Sequence, residues 1–203
     1  MNAILGLWVG ALLTCIIGSA ASATASAPPR DAEITLQPQQ VSRRTWFFQG
    51  DAGMASAANQ GFMSNAGFVV TDDGIVVFDA LGTPALGEAM VAAIRRVSPA
   101  PIVRVVVSHY HADHVYGLQA LKRAGAQIWA HRLADDYFAS GVAAQRLEQR
   151  KRDLHPWVDE STRIETPDVR LDGSTDFKLG GVTFRIVYAG GGHAPDDLLM
   201  LVV

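Results

Sequence analysis

Two periods of hydrophobic and polar positions alternate along this chain, and each change of period marks a new element. Residues 66–80, "AGFVVTDDGIVVFDA", hold two apolar runs joined by Asp72-Asp73-Gly74, where Gly74 can take a positive φ. That pattern predicts a β-hairpin. In residues 83–98, "TPALGEAMVAAIRRVS", the positions Leu86, Met90, Ile94 and Val97 mark one apolar helical face. Thr83 suits the N-cap and Pro84 the first helical position. "PIVRVVVS", residues 101–108, is a nearly continuous β-branched run, as expected of a strand buried on both faces.

The downstream pattern continues in the same alternation. A short helix is predicted over 114–124, ending at Gly125 with Lys122 and Arg123 in its last turn. A strand follows at 126–131 and a longer polar helix at 132–153. A second hairpin over 177–190 turns at Gly180-Gly181, with Val182, Phe184, Ile186 and Tyr188 alternating against Thr183 and Arg185. A further strand runs through 196–203. Upstream, residues 45–48 read as a strand and the Gly-, Ala-, Ser- and Asn-rich residues 50–65 as a loop. Strands alternating with helices, with hairpins among them, predict an α/β layered domain with a mixed sheet. No internal repeat interrupts it.

Composition sharpens this picture at three points. The chain has 203 residues, enough for one domain with a substantial core. Its first charged side chain is Arg30, preceded by an apolar run from about Ala3 to Ile17 and the small-residue ending Ala25-Ser26-Ala27. That order predicts a secretory signal over 1–27, a polar lead-in and loop over 28–65, and the main domain over 66–203. The apolar core is shorter than the roughly 20 residues of a spanning helix, so no stable membrane insertion is expected after cleavage. Cys15 is the one cysteine and lies inside the leader, which leaves the mature chain without disulfides or cysteine metal ligands. The net charge of −3 argues against a nucleic-acid partner, and "EQRKRD" near the end of the polar helix reads as a solvated face.

The candidate chemistry sits directly after the buried strand, in "SHYHADH". His109, His111, Asp113 and His114 fall within six positions, and three of the chain's six histidines are among them. His109 and His111, two apart in extended backbone, project to one side. Asp113 and His114 sit at the mouth of the next helix. Asp113 alone would be an ordinary N-cap, and a single histidine at a strand end is most often a hydrogen-bonded structural group. Three imidazoles and a carboxylate at a sheet rim, where α/β folds place their sites, point instead to a metal such as zinc.

"SHYHADH" resembles the H-x-H-x-D-H motif of the metallo-β-lactamase-fold hydrolases. The order of hairpin, "FDA" strand end, helix, buried strand, motif and helix is similar to that superfamily too, over about residues 66–203. "GGGHAPDD" downstream resembles its second metal segment and brings in His193. Within the superfamily the chain resembles the exported zinc metallohydrolases associated with quinoprotein systems. The resemblance implies the N-terminal part of an αββα sandwich with a mixed sheet, incomplete at the C-terminus. It implies His109, His111 and His193 on a first zinc and Asp113 with His114 on a second, so one or two zinc ions. Their ring nitrogens would then lie within about 3–4 Å of one another, as ~2.1 Å zinc bonds require. Zinc-bound hydroxide would attack a carbonyl of a small-molecule substrate: a β-lactam, lactone, thioester or similar acyl compound. Asp113 would be the catalytic carboxylate, orienting the nucleophile. The mature protein would be periplasmic or secreted.

Two other functions fit the same residues: a mononuclear iron dioxygenase acting on persulfides, and a non-catalytic metal-binding fragment. His131 and His155 match no motif and read as structural or surface groups. Asp79 stands where it can orient a metal ligand or simply close a turn. Asp196 and Asp197 are placed to cap or brace the loop of His193.

Overall fold

The computed structural model describes residues 34–203. The leader assigned to residues 1–27 and the start of the lead-in lie outside the described residues. Ten strands and five helices follow in the order β1 (Gln39–Gln40), β2 (Thr45–Phe48), β3 (Ala66–Thr71), β4 (Gly74–Phe78), α1 (Pro84–Val97) and β5 (Ile102–Val106). Next come α2 (Ala112–Val115), α3 (Leu118–Arg123), β6 (Gln127–His131), α4 (Ala134–Ala139) and α5 (Val142–Asp153). The last four are β7 (Val169–Leu171), β8 (Thr175–Leu179), β9 (Val182–Tyr188) and β10 (Leu198–Val202).

Strands β1 to β7 form one mixed sheet in chain order, and β10-β9-β8 form a second, three-stranded antiparallel sheet. Pairing is antiparallel from β1 to β4 and parallel from β4 to β7. The three parallel connections need crossovers, and α1, the α2–α3 pair and the α4–α5 pair supply them in turn. The result is a helix layer, a large sheet and a small sheet stacked in that order, the α/β arrangement with a mixed sheet that the sequence predicts.

Each layer is held by apolar burial. On the helix side, Leu86, Met90 and Ile94 of α1 are fully buried with Ile75, Val77 and Val105 of the sheet and Leu118 and Leu121 of α3. Burying each such side chain contributes about 2 kcal/mol. Val97, expected on the same face, is instead 36% exposed, because α1 ends there. Thr83 caps α1 as expected, its Oγ1 accepting from the Leu86 N–H at 3.2 Å. Between the sheets, Val69, Val76 and Val106 meet Val182, Phe184, Ile186 and Leu198. Here the run "PIVRVVVS" contains its one exception. The guanidinium of Arg104 lies between the rings of Trp129 and Phe177, 3.6 and 4.1 Å from their centroids, where cation–π attraction offsets part of its desolvation.

Both helices predicted after the buried strand are broken in two. The 114–124 segment begins two residues earlier and splits at Tyr116-Gly117. The Gly117 N–H donates to the Leu81 carbonyl at 3.2 Å, outside the helix ladder. A Cβ on Gly117 would strike the Ala80 carbonyl, and one on Gly87 would approach the Gly117 oxygen to 2.5 Å. Only glycine lets α1, the β4 end and the α2–α3 junction come this close. The 132–153 segment splits at Gly141, whose φ of 75° ends α4 in the left-handed region. Strands β1 and β7 have two and three residues, too few to show a period.

Candidate metal centre

The end of β5 carries the motif to the rim of the large sheet. Ser108 N–H donates to Asp79 Oδ1 at 2.7 Å, tying the end of β5 to the end of β4. His109 is buried, His111 half-buried at the N-cap of α2, and Asp113 and His114 lie within its single turn. Ser64, from the loop that the sequence leaves featureless, donates its hydroxyl to the Asp113 carbonyl.

His193 arrives from 82 residues downstream, and two aspartates bring it there. Asp196 Oδ2 accepts from the Tyr110 N–H at 2.9 Å, inside the motif itself. Asp197 Oδ2 accepts from the N–H groups of His193 and Ala194. The Leu198 N–H donates to the Ser108 carbonyl at 2.8 Å. Both aspartates therefore brace the loop as expected. A buried carboxylate is costly, and burial pushes the Asp196 carboxyl up; the backbone N–H of Tyr110 is what makes its place tenable.

The rings of His109, His111 and His193 form a nearly equilateral triangle, with centroids 4.7, 4.8 and 4.9 Å apart. One nitrogen from each lies within 4.8 Å of the other two, so the three can hold a metal ion. His111 Nδ1 and His193 Nε2 are 3.1 Å apart. That pair falls in the expected 3–4 Å window, and the full set lies within 4.8 Å. Burial, then the neighbouring histidines, hold His109 down to about 4, so its imidazole is neutral at pH 7 with a lone pair to give. Burial also lowers His111, with His193 adding to the effect.

The chemistry of the donors fits a metal. His109 Nδ1 is engaged by Ser108 Oγ at 2.9 Å. Its Nε2 is buried and has no hydrogen-bond partner among the described residues. A buried, unpartnered nitrogen costs about 1–3 kcal/mol, a cost that a metal bond would remove. The serine hydroxyl plays the orienting part that a metal-bound imidazole needs on its other nitrogen.

Asp113 and His114 form a separate pair beside the triangle. His114 Nε2 lies 3.3 Å from Asp113 Oδ2, and His114 Nδ1 lies 2.9 Å from Asp79 Oδ2. Burial opposes charge on His114, but its bonds to the two carboxylates outweigh it and lift His114 to about 10. Burial likewise raises Asp113, but His114 outweighs it and brings the carboxyl down to about 2. Asp79 is thus an orienting partner of His114, one of the two readings the sequence left open. It is 3% exposed and sits at a φ of 64°, a conformation aspartate tolerates better than most residues. His131 is buried and stacked on Tyr188, ring centroids 3.9 Å apart, and His155 is exposed. Neither joins the cluster.

A two-sheet α/β layer with histidines from a strand end and a distant loop converging at its rim defines a metal-binding hydrolase-like fold. The family model of the Metallo-beta-lactamase superfamily matches residues 59–200, and the chain belongs to that superfamily. It is 22% identical over 172 residues to the "Metallo-beta-lactamase type 2" of Bacillus cereus, covering 82% of this chain and 56% of that protein. It is 23% identical over 168 residues to the "Linear primary-alkylsulfatase" of a Pseudomonas species, covering 69% of this chain and 25% of that protein. Among solved structures, the metallo-beta-lactamase from Pontibacter korlensis superposes with a TM-score of 0.63 at 20% identity, covering 83% of this chain and 67% of that one. The chain spans about half the length of the metallo-beta-lactamases it matches among curated relatives.

Proposed function

We propose that this chain carries the first metal site of an exported, zinc-dependent hydrolase that cleaves a small acyl compound such as a β-lactam, lactone or thioester. The observation that carries the reading is the unpartnered, buried Nε2 of His109 within the triangle of His109, His111 and His193. Three imidazoles with an open fourth position are the donor set of a catalytic zinc. When bound there, zinc supplies a water of lowered pKa and a positive charge for the oxygen that becomes negative during attack.

The chain's own residues do the rest. Ser108 orients His109 through Nδ1. Asp196 and Asp197 hold the loop that presents His193. Asp113, held ionised by His114, offers a carboxylate oxygen that accepts a hydrogen bond from an attacking water and so orients it. Asp79 keeps His114 turned toward Asp113, where the two form the start of a second metal site. The acidic net charge and the apolar leader favour a small-molecule substrate and a periplasmic or secreted location over nucleic acid.

Metal counting tests the reading. After mild chelation, the chain is expected to retain about one tightly held zinc, because Asp113 and His114 give a second ion only two protein ligands. Retention of iron in place of zinc, or of no metal, refutes the zinc reading. N-terminal sequencing of secreted material is expected to start at Pro28, and a cytosolic product that keeps Met1 refutes export.

A further inference from the structure

We propose that α5 builds an anion-binding subsite beside the histidine cluster, in which Arg146 and Arg150 hold a carboxylate or sulfonate group that the substrate carries away from its reacting bond. This deepens the hydrolase reading and rests on it for the nature of the ligand.

The two arginines and the cluster share one pocket. It has a volume of about 190 Å³, and His111, Asp113, Tyr137, Arg146 and Arg150 are among the residues that line it. Arg146 and Arg150 are four residues apart on α5, hence on one face and one turn apart, about 6 Å along the axis. A group held by this pair therefore lies within reach of a small molecule whose other end is at His111.

No described carboxylate pairs with the arginines of this pocket. Among the described residues neither guanidinium makes an ion pair. Arg146 Nη1 donates only to the neutral amide oxygen of Gln149, at 3.2 Å. The next cation along, Lys151, behaves differently: it is held by both Glu148 and Glu160, at 2.8 Å each. The one carboxylate that lines the pocket, Asp113, is already engaged by His114 at 3.3 Å. Tyr137 lines the same pocket and adds a phenol to it. Two unpaired guanidinium forks beside a phenol match an oxyanion, which accepts parallel N–H bonds from arginine. A neutral amide of the same shape offers one acceptor oxygen and no charge.

The test uses the metal-free chain, so that no anion can bind a metal. Benzoate, benzenesulfonate and benzamide are titrated in turn while the Nε–H resonances of arginine are followed by NMR. Benzoate or benzenesulfonate is expected to shift the Arg146 and Arg150 resonances saturably, more weakly as salt rises, while benzamide leaves them in place. The double variant Arg146→Gln/Arg150→Gln should weaken binding of the anion about tenfold or more, as expected for loss of charge-assisted hydrogen bonds. Equal shifts from benzamide, or undiminished anion binding by the double variant, overturn the proposal. Should the double variant fail to fold, Arg150→Lys decides, since it keeps the charge and loses the fork. Weakened but measurable binding is expected there, and unchanged binding refutes the subsite. Zinc binding is titrated separately on the same samples, so a failure of the metal reading is distinguishable from a failure of the subsite.

Discussion

Replacing Asp79 by asparagine tests how the centre is oriented, because it changes one atom and predicts a change of proton. The carboxylate makes two bonds, to the Ser108 N–H at 2.7 Å and to His114 Nδ1 at 2.9 Å. Asparagine keeps an oxygen for Ser108 and turns its NH₂ toward His114. A donor now faces Nδ1, so Nδ1 must give up its proton and become the acceptor, which leaves the ring neutral with its one proton on Nε2, the nitrogen that faces Asp113 at 3.3 Å. Backbone strain is not the issue, since asparagine also tolerates the φ of 64° at this position. Charge-assisted bonds are about twice as strong as neutral ones, so the metal-free chain should lose about 1–2 kcal/mol. For a domain of this size that is a Tm lower by about 2–8 °C. Losing an orienting partner of this kind typically costs about 10–100-fold in metal affinity. The cost should fall on the weak site at Asp113 and His114. Denaturant melts, zinc competition and ¹⁵N imidazole spectra measure the three effects. An unchanged protonation of His114 Nδ1 with unchanged metal affinity would refute the orienting role. Asp79→Ala should be worse by about 1–3 kcal/mol, because it also orphans the Ser108 N–H.

Three further outcomes are expected. Structural zinc sites bind with about 10–16 kcal/mol over four ligands, or about 3 kcal/mol each. His193→Ala should therefore lower zinc affinity by about 100-fold, whereas His131→Phe, which preserves the stack on Tyr188, leaves it unchanged; equal losses in a competition titration would undo the ligand assignment. Gly117→Ala should destabilise the chain by about 2 kcal/mol or more in denaturant melts, since a Cβ there meets the Ala80 carbonyl; wild-type stability would show that the junction gives way freely. Leu199 and Leu201 are 55% and 47% exposed on β10, at the edge of the small sheet. Leu199→Lys should shift sedimentation toward monomer, and an unchanged profile would mean that this edge does not drive association.

Much of this protein is local enough to be read from its order of residues. The hairpin at Gly74, the capped helix from Thr83 and the hairpin at Gly180-Gly181 each depend on contacts within a few residues, and the buried strand before the motif announces itself by its β-branched run although its partners β4 and β6 lie far along the chain. The motif itself is of this kind: His109, His111, Asp113 and His114 lie on one short strand-to-helix turn, so their grouping follows from backbone geometry. What sequence pattern could not carry was anything decided between distant segments. Both predicted helices were cut, one because Gly117 packs against the α1 and β4 backbone and one because Gly141 adopts a left-handed conformation. Neither departure is encoded by hydrophobic period. His193 could be singled out only by resemblance, and its place was decided by Asp196 reaching back to the Tyr110 N–H across 86 residues. Ser64, Asp79 and Ser108 acquire their roles by the same route. A serine or aspartate becomes an orienting group only when folding removes water and leaves one particular donor or acceptor within reach. That pairing depends on the stacking of β4, β5 and the His193 loop, which is a property of the whole sheet and of no single stretch of the chain.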